Sequence, residues 1–310
     1  MNEILPSLFQ LQIPLPNNPL GHTNIYLIHG DDGDLLIDAG FNSPEGLEAM
    51  QKQLAETGAD IRKISRIIIT HAHGDHIGLA GKVREISGAK IALHRLEKPP
   101  RFPAGRDREA FVKQAEKWLH ASGMPHDELL SVPEGPRHGP GGMRPFESPP
   151  KPDATLEDNE DIRTGGFNLK VVWTPGHSPG HICLYEANNR VLFGGDHVLP
   201  TTTPNIGLRP GQLGRGNPLS DYLESLDKVR KLDVRRVLPA HEHIFKDLPG
   251  RVDEIKEHHR RRSQEILDTL HTGPKTGYQV SGAVTWMPES GGGVNEGRPD
   301  RAARGSSATR

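Results

Sequence analysis

The chain has 310 residues, 34% hydrophobic and 25% charged, with a formal net charge of -2. That balance excludes a general electrostatic pull toward nucleic acid, and 35 Gly with 27 Pro imply long loops or tails around a modest core. The single cysteine, Cys183, excludes an intramolecular disulfide, no run approaches the roughly eighteen apolar residues of a membrane span, and the start MNEILPSLFQLQIPLP lacks the regions of a signal peptide, so a cytoplasmic protein is expected.

Residues 4–13 alternate as a first strand. NIYLIHGDDGDLLIDAG reads as two strands around a turn at Asp31-Asp32-Gly33. SPEGLEAMQKQLAETG reads as a helix with Ser43 as N-cap, Pro44 in its first turn and Gly58 at its stop. ISRIIIT has the β-branched character of a buried strand; HIGLAGKVREISG reads as a helix and KIALH as a strand. This alternation predicts an α/β fold. From 97 to 155 the pattern breaks into an irregular insertion, with one helix at EAFVKQAEKWLHASGM and then a Pro/Gly-rich stretch. Three strands follow at FNLKVVW, HICLYE and RVLFGG, then a helix at LSDYLESLDKVRKL and a short strand at VRRVLPA. A long polar helix begins at RVDEIKEHHRRR; after GPKTGYQV no further helix is read. The division expected is a main domain over 1–250, a helical extension over 251–280 and a disordered tail over 281–310.

Four strand-like runs each end on a metal-ligand type. They are IIIT-His71-Ala-His73-Gly-Asp75-His76, VVWTPG-His177, VLFGG-Asp196 and RVLPA-His241. Loops leaving one end of an α/β sheet gather ligands. Five histidines and two aspartates suit two divalent ions, zinc first, with iron and manganese sharing these donors. His71, His73 and His177 make one three-ligand set and Asp75, His76 and His241 another, leaving Asp196 to bridge.

His-x-His-x-Asp-His after a strand, with downstream His, Asp and His at strand ends, resembles the metallo-β-lactamase superfamily over residues 4–250. The resemblance implies an αββα sandwich with metals at one edge, the same seven ligands, and Asp75 as a catalytic residue that positions the nucleophile or moves a proton. TPGHSPGHICLYE and GGDHVLP look like the glyoxalase II-like branch, which contains thioesterases. The helix after PAHEHIF looks like the subgroup of lactamase-like protein 2. The expected reaction is therefore hydrolysis of an ester-type carbonyl, a thioester first, by metal-bound hydroxide acting on a small molecule. Phosphodiester or RNA cleavage by the same two metals is the alternative, and a lactonase a third. A di-iron redox protein ranks low because no electron-partner domain is read, and a pure binding module ranks lower.

Other residues carry weaker signals. His181 suits a supporting role beside the ligands or a plain strand start. His197 adjoins Asp196 but points to the opposite face if extended, and His243 is weaker still. The stretch 199–211 borders the cleft, with threonines that touch substrate or cap turns, and Arg209 is a candidate anion binder. EHHRRR at 257–262 reads as a solvated helix face rather than a nucleic-acid track, since no aromatic platform flanks it. Cys183, within HICLY, reads as a small buried hydrophobe.

Overall fold

The structure is a computed structural model describing residues 2–97, 106–131, 150–207 and 216–285. A seven-stranded sheet takes its strands in chain order: β1 (Asn2–Leu5), β2 (Leu8–Pro14), β3 (His22–Ile28), β4 (Asp34–Ile37), β5 (Ile64–Ile69), β6 (Lys90–His94) and β7 (Ala154–Leu156). It is antiparallel from β1 to β4 and parallel from β4 to β7. A five-stranded sheet holds β8 (Asp161–Thr164), β9 (Phe167–Trp173), β10 (Ile182–Glu186), β11 (Val191–Gly195) and β12 (Arg236–Pro239), adjacent in that order. Here β8 to β11 alternate in direction and β12 lies parallel to β11. The helices are α1 (Pro44–Glu56), α2 (Gly74–Ile77), α3 (Ala80–Ser87), α4 (Arg106–Ala121), α5 (His126–Ser131), α6 (Pro218–Arg230), α7 (Leu248–Leu270) and α8 (Gly277–Ala283).

Side-chain alternation along each strand builds the layers. In β5, Ile67 and Ile69 face Met50, Leu54 and Val83 of α1 and α3, while Ile68 faces the other sheet. In β10, Ile182 and Leu184 face the first sheet, and Cys183 joins Tyr222, Leu226, Val252 and Ile255 of α6 and α7. Three apolar layers result: helix on sheet, sheet on sheet, and sheet on helix. This is the expected αββα sandwich, with two helices covering each outer face. Among the described residues no helix is long and apolar enough to cross a membrane.

Several local expectations need correction. The first strand is a hairpin, β1 and β2, turning at Ser7 with φ 69°. HIGLAGKVREISG is not one helix: Ala39 N–H donates to the His76 carbonyl at 2.7 Å and Leu79 N–H to the Gly40 carbonyl at 3.1 Å, so that backbone serves the β4 loop and the helix breaks between α2 and α3. The break in pattern over 97–155 ends before β7, which pairs with β6. A helix that was not expected begins inside GPKTGYQV and runs on to Ala283. α8 carries a capping box, Thr276 with Gln279, and Tyr278 N–H donates to the Ser122 carbonyl at 2.8 Å. The T-x-x-Q signal is present in the sequence, so residues 281–285 are not the start of a disordered tail; 286–310 lie outside the described residues. Ser43 caps α1 as expected, its hydroxyl accepting from Gly46 N–H at 2.9 Å.

Candidate metal centre

The direction of the strands explains why the ligand types meet. β9, β11 and β12 run the same way, because β10 is antiparallel to both β9 and β11. Their C-terminal ends therefore release His177, Asp196 and His241 at one edge of the sandwich. β5 releases His71 at the same edge, where Ile182 N–H donates to the Thr70 carbonyl at 3.0 Å. From β3, Asn24 N–H donates to the Ala240 carbonyl at 2.6 Å, while its side-chain amide donates to the carbonyls of Pro239 at 3.1 Å and Glu242 at 3.0 Å. The Tyr26 hydroxyl adds a bond to Pro239 at 2.7 Å, so β3 clasps the segment bearing His241.

All seven predicted ligand residues assemble here, in two groups whose donor atoms lie within 4.8 Å of one another: His71, His73, His177 and Asp196; then Asp75, His76 and His241. In the first group His71 Nε2 lies 2.8 Å from His73 Nδ1 and 3.2 Å from His177 Nε2, and His73 Nδ1 lies 3.0 Å from His177 Nε2. Donors about 2.0–2.1 Å from one tetrahedral ion would stand roughly 3.3 Å apart. In the second, His241 Nε2 is 3.2 Å and His76 Nε2 3.6 Å from Asp75 Oδ2. Asp196 spans both groups. Its Oδ2 lies 3.5 Å from His177 and 3.9 Å from His71, and its Oδ1 3.3 Å from His241 and 3.5 Å from His76.

Outer hydrogen bonds select the tautomers. His76 Nδ1–H donates to Asp38 at 2.8 Å, His177 Nδ1–H to the Asn205 carbonyl at 2.9 Å and His241 Nδ1–H to the His22 carbonyl at 3.1 Å. Each leaves the Nε2 lone pair aimed inward. Buried His76 Nε2 and Asp196 Oδ1 have no hydrogen-bond partner, an arrangement that a divalent cation would satisfy. Electrostatics agree with a cation-accepting pocket. Burial, with His76, His73 and His177 close by, holds His71 well below the ordinary histidine value. Burial opposes ionisation of Asp196, but His76, His241 and His177 outweigh it and hold its carboxyl well below the usual range.

Three supporting residues were not read from the sequence. Asp38, at the end of β4 with φ 61°, accepts from Thr70 N–H at 2.8 Å, from the Thr70 hydroxyl and from His76. Glu97 and Asn24 are the others. The signal for Asp38 was an acid closing the apolar run LLID; Glu97 and Asn24 had none. His181 does support the site: its Nε2 accepts from Asp196 N–H at 3.1 Å and its Nδ1 faces the Thr174 hydroxyl at 2.8 Å. Gly195, with φ 51°, permits this approach, because a Cβ there would come within 2.7 Å of His181 Nε2. Thr201 and Thr202 are held by Glu242, Thr201 N–H at 2.8 Å and Thr202 N–H at 3.0 Å, so they act as loop ties. Arg209 lies outside the described residues. His243 is exposed, and Glu257 pairs with Arg260 at 2.7 Å, as on a solvated helix face.

His197 turns away from the ligands and packs edge-on to Tyr222 at 5.1 Å in the outer layer. Burial pushes its pKa down to about 3. An unfolded histidine titrates near 6.5, so below that pH the unfolded chain takes up a proton that the folded chain refuses. Stability is thus complete above pH ~6.5 and falls through the window down to about 3. His197→Asn should remove this slope: urea titrations of metal-free protein are expected to show the gap between wild type and variant narrowing by roughly 2 kcal/mol between pH 7 and pH 4.5. A gap independent of pH would refute the assignment.

An αββα sandwich with histidine and aspartate donors converging at one edge, together with the family match and the relatives that follow, marks a metal-dependent hydrolase. The model of the metallo-beta-lactamase superfamily matches residues 18–241, and the chain belongs to that superfamily. It is 26% identical to the beta-lactamase-like protein 2 homolog of Caenorhabditis elegans, over 83% of this chain and 69% of the relative. It is 32% identical to the acyl-coenzyme A thioesterase MBLAC2 of Gallus gallus, over 72% of this chain and 73% of the relative. The crystal structure of the metallo-beta-lactamase family protein TTHA1429 from Thermus thermophilus superposes with a TM-score of 0.74 at 32% identity, covering 90% of this chain and 87% of that one.

Proposed function

We propose that the chain is a binuclear metal hydrolase of ester-type carbonyls, with small-molecule thioesters as its preferred class. The observation that carries the binuclear reading is Asp196, one oxygen turned to each ligand set. In this reading His71, His73 and His177 hold one ion, Asp75, His76 and His241 the other, and Asp196 bridges. The nitrogen and oxygen donors favour zinc, with iron or manganese as substitutes. Support for a thioester comes from the acyl-coenzyme A thioesterase relative and from the glyoxalase II-like TPGHSPGH segment.

Two bound cations would supply a water of pKa near 7 and positive charge for the developing oxyanion. The chain's own groups do the rest. Asp75, with a quarter of its side chain exposed, is open enough to orient the attacking water and take its proton. His76 and His241 turn Nε2 inward because Asp38 and the His22 carbonyl hold their Nδ1–H groups. No side chain need serve as a covalent nucleophile. Cys183 is fully buried and its thiol is pushed up to about 12, which removes it from that role.

The test is a substrate panel on metal-reconstituted protein: acyl-coenzyme A thioesters, lactones, β-lactams and bis-p-nitrophenyl phosphate. A kcat/KM for thioesters at least about tenfold above the others is expected. Preference for the phosphodiester would overturn the thioester reading in favour of nuclease-type chemistry.

A further inference from the structure

The first histidine set is assembled from two loops that leave different sheets, and one side chain joins them. Glu97 follows β6 and is 8% exposed. Its Oε2 accepts from Ala72 N–H at 3.0 Å; its Oε1 accepts from Gly180 N–H at 2.8 Å and from the Ser178 hydroxyl. Ala72 is the residue between His71 and His73, and Ser178 follows His177. We infer that Glu97 is the positioning residue of the first cation site, a carboxylate that holds the His71–His73 loop and the His177 loop at the separation one ion requires. This rests on the proposed binuclear reading.

The chemistry demands a carboxylate. Three donors converge on it from two sides, and an ionised carboxyl group offers acceptor sites on both oxygens. A glutamine keeps one acceptor oxygen and turns an NH2 group against the remaining N–H, so Glu97→Gln must release one of the two loops. The fit is close as well. Gly180 has no side chain where a Cβ would meet Glu97 N at 2.5 Å and its Cγ at 2.9 Å. Among the described residues Glu97 makes no hydrogen bond to the second set. His76 leans on Asp38, and His241 leans on the His22 carbonyl and the Asn24 clasp. The effect of Glu97 should therefore fall on one cation and spare the other. Partners that orient metal ligands typically change metal affinity by roughly 10–100-fold when lost.

The experiment is calorimetric titration of chelator-treated protein with zinc chloride. Glu97→Gln is placed in a His76→Ala background, which retains the first set, and in a His71→Ala background, which retains the second. Zinc affinity is expected to drop roughly 10–100-fold in the first background and to stay unchanged in the second. Equal weakening in both, or none in the first, overturns the inference. If Glu97→Gln does not fold, Ser178→Ala removes one of the three donors and leaves both backbone bonds. A several-fold loss in the His76→Ala background then supports the inference, and no loss overturns it. Wild-type protein that takes up a single equivalent would refute the binuclear reading, and the His76→Ala comparison would still decide Glu97.

Discussion

Asp196→Ala is expected to lower kcat/KM for thioesters by about 10²–10³-fold or more, and to lower zinc uptake at both ligand sets. The reason is geometric. Asp196 Oδ2 faces His177 at 3.5 Å and Oδ1 faces His241 at 3.3 Å, so one truncation removes an anionic donor from each group. What remains is an array of buried imidazoles around one carboxylate, Asp75. A second cation could then bind only against uncompensated positive charge. Zinc content by atomic absorption and the zinc-dependent rise in melting temperature check this together. Linkage requires that a cation bound only by the folded state raise its stability, so the variant should lose most of that rise. Full retention of two zinc equivalents would refute the bridging role. Asp75→Ala serves as the comparison. It should cost activity while leaving the first set able to bind, since Asp75 faces His76 and His241 and not His73 or His177.

The second large effect is expected at Asp38, which should not touch substrate at all. Asp38→Ala leaves Thr70 N–H, the Thr70 hydroxyl and His76 Nδ1–H without their acceptor in a site where Asp38 is 2% exposed. Each buried donor left unpaired costs about 1–3 kcal/mol, and these three share one site, so the sum is below the additive value. It also puts an alanine at φ 61°, which favours Asn, Asp or Gly. A loss of about 3–5 kcal/mol in urea unfolding of metal-free protein is expected. Asp38→Asn separates the two parts. It tolerates the backbone conformation but can turn its amide NH2 toward His76, so its stability loss should be smaller while its zinc affinity at the second set still falls. If Asp38→Asn bound zinc like wild type, orientation of His76 would have to come from elsewhere.

Much of this site was legible because metal chemistry restricts residue types. Few side-chain types can ligate such ions, they come here in short spacings such as His71-x-His73, and each cluster follows an apolar run that announces a strand. The layers were legible for the same kind of reason: β5 and β10 alternate with period two. One place was misread because backbone groups were captured from a distance. The helix expected through Gly78 breaks because Gly40 and Ala39 take its hydrogen bonds.

By itself, then, the sequence determined the α/β class and the roster of seven candidate ligand side chains, and its resemblance implied the two-sheet sandwich. The tertiary structure decided which atoms face inward and what holds them there. Asn24 reaches Pro239 across 215 residues, and Glu97 reaches Ser178 across 81. Such partners need only be some acceptor or donor in the right place. Proximity in space selects them, and no local pattern of residue types records it.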